Sequence, residues 1–202
     1  MIQKFDFDSP IILENDRVLL RPLEASDIEH LLEFSLKEPE IWKYSLVEAS
    51  GEENLRRYLE MALGGRKNKT QYPFIVYDKI QKKYAGSTRF YQIDLANESL
   101  LLGYTWYGKN FQGTGINKNC KLLLLTFAFE EMGMTRVEFR ADNNNQKSIA
   151  AMKSIGCVVE GVLRKDSLSP SGYRRDSIVL RILKEEWEEN IKEELSTKIN
   201  KK

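Results

Sequence analysis

Apolar and polar residues alternate through Arg17-Val18-Leu19-Leu20-Arg21, a period of two that predicts a strand, and Pro22 closes it because proline has no N–H for a ladder. The period then changes. Ser26, with Glu29 three residues on, has the form of a capping box and opens a predicted helix with Ile28, Leu31, Leu32 and Ser35 on one face. His30 on that helix is expected to face water. A second pair, Ser50 and Glu53, precedes Leu55, Tyr58, Leu59, Ala62 and Leu63 at helical spacing, with Gly64-Gly65 as the expected stop. Three strand-like runs follow at 72–78, 84–91 and 100–107, with turn-like segments at 79–83 and 95–97, and read as an antiparallel meander.

After a glycine-containing turn at 112–115, the run 117–131 carries Cys120, Leu123, Leu124, Phe127 and Ala128 on a helical face and ends near Gly133. Val137 and Phe139 alternate with charged residues in a short strand at 135–141. A helix at 145–155 stops at Gly156. Two further strands, 157–164 and 173–183, flank a turn-rich segment at 166–172 and are expected to pair as a hairpin. Trp187, Ile191 and Leu195, spaced by four, predict a C-terminal helix docked by one stripe, with the last residues frayed. Seven strands interleaved with helices make the class α+β. Without repeats or a long linker, the chain divides into an extension (1–15), one domain (16–183) and a C-terminal helix and tail (184–202).

Charge narrows the function. The 202 residues hold 31 Lys and Arg against 30 Asp and Glu, so no whole-chain field draws in nucleic acid or anionic lipid. The start, MIQKFDFDSPII, lacks the pattern of a signal peptide, and no run is long enough to span a membrane; a cytoplasmic enzyme is the expectation. Cys120 and Cys157 are the only cysteines and His30 the only histidine, too few for a disulfide framework or a Cys/His metal cluster. Both thiols sit among apolar residues and read as small core side chains rather than nucleophiles.

The turn Gln112-Gly113-Thr114-Gly115 lies between a strand and the most apolar helix, where unpaired N–H groups and the positive helix end can receive a phosphate. The same turn could be purely structural. An overlapping G-x-x-x-x-G-K match, Gly103 to Lys109, fails at Asn110, where a P-loop needs Ser or Thr for magnesium, and its interior reads as strand. A dinucleotide fingerprint fails too, since Lys118 stands where the third glycine belongs.

Phe111-Gln112-Gly113-Thr114-Gly115-Ile116-Asn117 resembles the Q/R-x-x-G-x-G/A signature of the GNAT acetyltransferases in its shorter form. Further blocks resemble the branch of ribosomal-protein N-terminal acetyltransferases, the RimJ/RimL-like enzymes: Leu20-Arg21-Pro22-Leu23, Arg136-Val137-Glu138-Phe139, Asp142 with Asn145-Gln146-Lys147-Ser148, Ile155-Gly156-Cys157 and Glu160-Gly161-Val162-Leu163-Arg164. The resemblance runs over about residues 16–183. It departs at Cys157, where the branch usually has an aromatic residue.

The resemblance implies a central, mostly antiparallel, seven-stranded mixed sheet flanked by helices, split in a V after its fourth strand. Acetyl-CoA occupies the split as acetyl donor, and no metal is needed. It further implies that the amides of Gln112, Gly113, Thr114, Gly115, Ile116 and Asn117 hold the pyrophosphate. Backbone from Gly103 through Tyr104, Thr105 and Trp106 would bond the pantetheine, and Asn145 would touch the same arm. Amide formation needs a deprotonated amine, a donor for the oxyanion and an acid for the thiolate. Ser148, by resemblance, is the candidate proton donor, and Glu98 the candidate base, directly or through water. Lys118, Lys121 and Lys147 could neutralise phosphates or simply be solvated. Trp42, Tyr44, Tyr91, Trp106 and Tyr173 could wall the acceptor groove. The acceptor is a primary amine, either a protein or peptide N-terminus or a small molecule, and exposed strand edges allow a homodimer. Two rivals remain: an acyl-CoA sensor without turnover, and a P-loop hydrolase dependent on Lys109.

Overall fold

The alternation at 17–21 becomes β2 (Val18–Pro22), with Val18, Leu20 and Pro22 buried in turn. The structure is a computed structural model that describes residues 5–200. Preceding β2 is a two-residue strand, β1 (Leu13–Glu14), an eighth strand that lies in the expected extension. The meander is present as β3 (Gln71–Asp78), β4 (Lys83–Asp94) and β5 (Ser99–Tyr107), followed by β6 (Arg136–Asp142) and the hairpin β7 (Val158–Leu168) and β8 (Arg174–Leu183). The sheet order is β1-β2-β3-β4-β5-β6-β8-β7, antiparallel everywhere except between β5 and β6.

Helices cover both faces. On one side α1 (Ile28–Lys37) and α2 (Glu52–Lys67) bury Leu31, Leu55 and Leu59 with Ile75 of β3. The flanking residues Phe74 and Val76 point the other way, toward α3 (Ile116–Thr126), as the strand period requires. A π-helical turn, Phe127–Glu131, prolongs α3. With α4 (Gln146–Ser154) it shares a core that also takes Trp187, Ile191 and Leu195, the expected stripe of the C-terminal segment. That segment is α5 (Lys184–Glu186), a second π turn (Trp187–Ile191) and α6 (Lys192–Asn200). The expected fraying concerns Lys201 and Lys202, outside the described residues.

Three helix ends differ from expectation. Ser26 caps nothing: a 3₁₀ turn, Ala25–Asp27, precedes α1, and the Asp27 carboxylate accepts the Glu24 N–H at 2.8 Å while gripping Arg21. Ser50 is likewise displaced by Gly51 (φ 81°) as the α2 cap, its hydroxyl turned to Glu48. Gly64 and Gly65 do not stop α2, which continues to Lys67. A Cβ on Gly65 would lie 2.6 Å from the Gln71 side chain, so this glycine admits a close neighbour rather than ending a helix. His30 is exposed, as expected, but its ring stacks on Tyr84 at 4.1 Å.

Candidate functional site

Strands β5 and β6 run parallel through only three pairs, Ser99 with Arg136, Leu100 with Val137 and Leu101 with Glu138. Beyond Leu101 they diverge while each keeps its outer neighbour, β4 or β8. The inner edges of both strands are then unpaired with each other, and a cleft of about 2010 Å³ opens along them. Buried strand edges seldom stay without partners, so an extended polar ligand lying between them would satisfy both.

At the cleft wall β5 is irregular. Its register against β4 shifts between Ser87 and Arg89, and Tyr104 takes φ 49°, rare for a residue with a side chain. Arg89 holds that conformation. Fully buried, it stacks 4.0 Å from the Tyr104 ring and 4.6 Å from the Tyr58 ring, and donates to Gln71 at 2.9 Å. Thr105 turns to the opposite face, where its hydroxyl meets that of Thr88 at 2.7 Å. Trp106 packs on Trp42 at 4.6 Å.

The glycine turn closes one end. Gly113 (φ 76°) and Gly115 (φ 86°) adopt the left-handed conformation that glycine takes at least cost, and Gly115 caps α3. The backbone N–H groups of Gly113, Thr114, Gly115, Ile116 and Asn117 have no partner among the described residues and stand at the positive end of α3. Side chains here brace the turn: Gln112 donates to the Tyr107 carbonyl at 2.8 Å and accepts from Lys147 at 2.5 Å, and Thr114 donates to the Phe111 carbonyl at 2.7 Å. The Gln112 N–H, expected among the phosphate-holding amides, is spent on the Lys109 carbonyl at 3.1 Å, so the free donors begin at Gly113. This is a site an anionic group fits.

Opposite β5, the Asn145 side chain caps α4 by accepting the Ser148 N–H at 3.1 Å. The cap turns Ser148 toward the cleft, which both residues line together with Gly103, Tyr104, Thr105, Trp106 and the glycine turn. Trp42, Tyr44 and Tyr91 line it too; burial raises the Tyr91 phenol far above its ordinary range, with Tyr104 adding to the effect. Tyr173 does not. From the turn between β7 and β8 it donates to Asp142 at the end of β6, and that hydrogen bond pushes its phenol up to about 12.

Glu98 is not brought to the cleft. It occupies the turn before β5 (φ 49°), where its carbonyl accepts the Thr135 N–H at 2.7 Å beside the closed end of the β5–β6 pair. Five residue steps along the strand, about 16 Å, separate it from Gly103. The sequence puts it near the fourth strand but does not say at which end of the split. Lys121 corrects another expectation. Rather than solvated or beside phosphates, it is buried (4% exposed) against the sheet, donating to Thr105 at 2.9 Å. Cys120 and Cys157 are buried thiols, each pushed up to about 12 by burial. The supposed P-loop from Gly103 is strand β5. No cluster of metal-ligating side chains and no helix long and apolar enough to cross a membrane occurs among the described residues.

Residues 17–158 match the family described as the acetyltransferase (GNAT) domain. A Bacillus subtilis (strain 168) protein with the provisional name ribosomal N-acetyltransferase YdaF is 30% identical over 178 residues, 86% of this chain and 95% of its own length. Two solved structures share the fold at lower identity. A GCN5-related N-acetyltransferase from Brucella melitensis superposes with a TM-score of 0.87 at 23% identity, over 97% of this chain and 88% of that one. Mycobacterium smegmatis RimJ, in complex with CoA-disulfide, superposes at 0.78 with 18% identity, over 94% and 93%. The split sheet, the glycine turn and the match over most of the chain agree: this protein belongs to the GNAT acetyltransferases.

Proposed function

We propose that the chain transfers an acetyl group from acetyl-CoA to a primary amine by direct attack in a ternary complex. The observation that carries this reading is the convergence on one cleft of the unpaired N–H groups at 113–117, the divergent edges of β5 and β6, and the Asn145–Ser148 cap. A pyrophosphate suits the glycine turn, and an arm of alternating amide groups suits the strand edges. With the pyrophosphate there, a thioester further along β5 would lie near Gly103 to Trp106, across from Ser148. The neutral amine attacks the thioester carbon, N–H donors stabilise the oxyanion, and the carbon–sulfur bond breaks as the thiolate takes a proton from Ser148 or from water. With Glu98 outside the cleft, the proton lost by the amine leaves through water.

The name of the Bacillus subtilis relative supports a protein N-terminus as acceptor, and the open cleft admits a small amine equally well. The near-neutral surface suits a cytoplasmic protein. Edge strand β7, with Val158, Val159, Val162 and Leu163 partly exposed, supports pairing of two copies.

Calorimetry with acetyl-CoA, followed by release of free thiol in a panel of amines and N-terminal peptides, tests the reading. Micromolar binding with amine-dependent thiol is expected; binding without release from any amine would leave a sensor, and no binding would end the proposal. Ser148→Ala is expected to lower kcat by about ten- to hundredfold with acetyl-CoA affinity changed less than about twofold. Unaltered turnover would remove Ser148 from the proton path.

A further inference from the structure

A lysine stands where the packing of α3 calls for an apolar side chain. Ile116, Cys120, Leu124 and Leu125 are buried beneath the sheet, and Lys121 is buried among them. Its ammonium donates to the Thr105 hydroxyl at 2.9 Å, reaches the Thr88 hydroxyl only at 3.5 Å, and lies 5.8 Å from the Phe139 ring centre. No carboxylate pairs with it among the described residues. A buried ammonium without a counter-charge is costly, and an aliphatic side chain of similar size would fill the space more cheaply.

The surroundings fix its charge state. Titratable groups facing it are two thiols, Cys120 on its own helix and Cys157 ahead of β7, both neutral because burial pushes them up to about 12. The Tyr107 phenol, beyond Cys120, is raised well above its ordinary range by burial. Strands β4 and β5 present the hydroxyls of Thr88 and Thr105, and β6 presents the Phe139 ring. Burial lowers the lysine to about 8, so at neutral pH it still carries its proton.

Lys121 lines the cleft on the same side as Thr105, inside the split and a full turn beyond the glycine turn that receives anions. A donor at that depth, flanked by hydroxyls and an aromatic ring, suits an uncharged acceptor oxygen rather than a phosphate. We infer that Lys121 donates a hydrogen bond to a carbonyl oxygen of the acyl-pantetheine arm of the acetyl donor, from the floor of the cleft. The inference rests on the acetyl-CoA reading above. It makes donor affinity depend on the ammonium form, present below about pH 8 and lost as pH rises through that value.

The test is calorimetric titration of acetyl-CoA into wild type and Lys121→Met across about pH 7 to 9.5, with circular dichroism as the check on folding. Acetyl-CoA has no free thiol, and its phosphate is fully ionised by about pH 7.5, so the ligand does not titrate in the upper window. Wild-type affinity is expected to fall about tenfold or more between pH 7.5 and 9.5. Lys121→Met should bind about ten- to hundredfold more weakly at pH 7 and show no such fall. Plain CoA at pH 7 identifies the oxygen: an equal loss for CoA indicates a pantetheine amide, and a loss confined to acetyl-CoA indicates the thioester carbonyl. A wild-type affinity that stays flat with pH, or a folded variant that binds within twofold of wild type, overturns the inference. Wild type that binds no acetyl-CoA at any pH overturns the functional reading itself, a different result.

Discussion

Gly115→Trp is expected to weaken acetyl-CoA binding by a hundredfold or more, read by calorimetry, with the thermal midpoint lowered by only about 2–8 °C. The two effects separate because they arise from different properties of one residue. Gly115 sits at φ 86° as the cap of α3, so any side chain strains the backbone by about 1–2 kcal/mol. Nothing lies within 4 Å of a Cβ built there, so the fold itself offers no clash. The open space is the mouth of the cleft, in front of the N–H groups of Gly113, Thr114, Ile116 and Asn117. An indole there covers those donors. Binding as tight as wild type would mean that the phosphates sit elsewhere.

Gly86→Ala should do the reverse, damaging the fold first. Gly86 faces Tyr107 across the β4–β5 ladder at φ 153°, and a Cβ there would lie 2.0 Å from the Trp106 carbonyl oxygen and 2.9 Å from the Tyr107 Cα. Both are backbone atoms, fixed by the ladder. Neither can swing aside as the Gln71 side chain can beside Gly65. Separating the strands breaks paired hydrogen bonds at the sheet centre, on the order of 3–5 kcal/mol, and a midpoint about 10 °C or more lower is expected in a thermal melt. Because Trp106 and Tyr107 anchor the irregular stretch at 103–105, surviving folded protein should also bind acetyl-CoA less well. A midpoint within about 3 °C of wild type would show that β4 and β5 can part at little cost.

The contrast shows what the sequence could reveal. Strand and helix periods depend on which residues meet the core, so Val18 and Leu20, or Trp187, Ile191 and Leu195, declare their roles without a structure. Caps compete locally, and Asp27 won over Ser26 because Arg21, six residues away in sequence, holds its carboxylate in place. Glu98 lies beside β5, the fourth of the predicted strands, as expected, yet the direction in which the split opens follows from three parallel pairs at 99–101 that no local pattern encodes. Lys121 was obscured for another reason. Lysines near a helix start are usually solvated, but Lys121 falls on the face of α3 turned to the sheet, where Thr105, Thr88 and the Phe139 ring enclose its ammonium. Arg89 was equally hidden: an alternating strand gives no sign that two tyrosines from distant segments will enclose a guanidinium.

Three paired positions join β5 to β6, fewer than at any other junction of the sheet except the two-residue edge pair β1–β2. The first five strands and the last three are thus two plates, the first knit in chain order and the second in the order β6-β8-β7, meeting along a short seam. A seam of this kind is where the molecule opens at least cost. A donor molecule lying along it would be held by both plates at once and act as a clamp, so the empty protein and the loaded one should differ less in shape than in how readily the plates part.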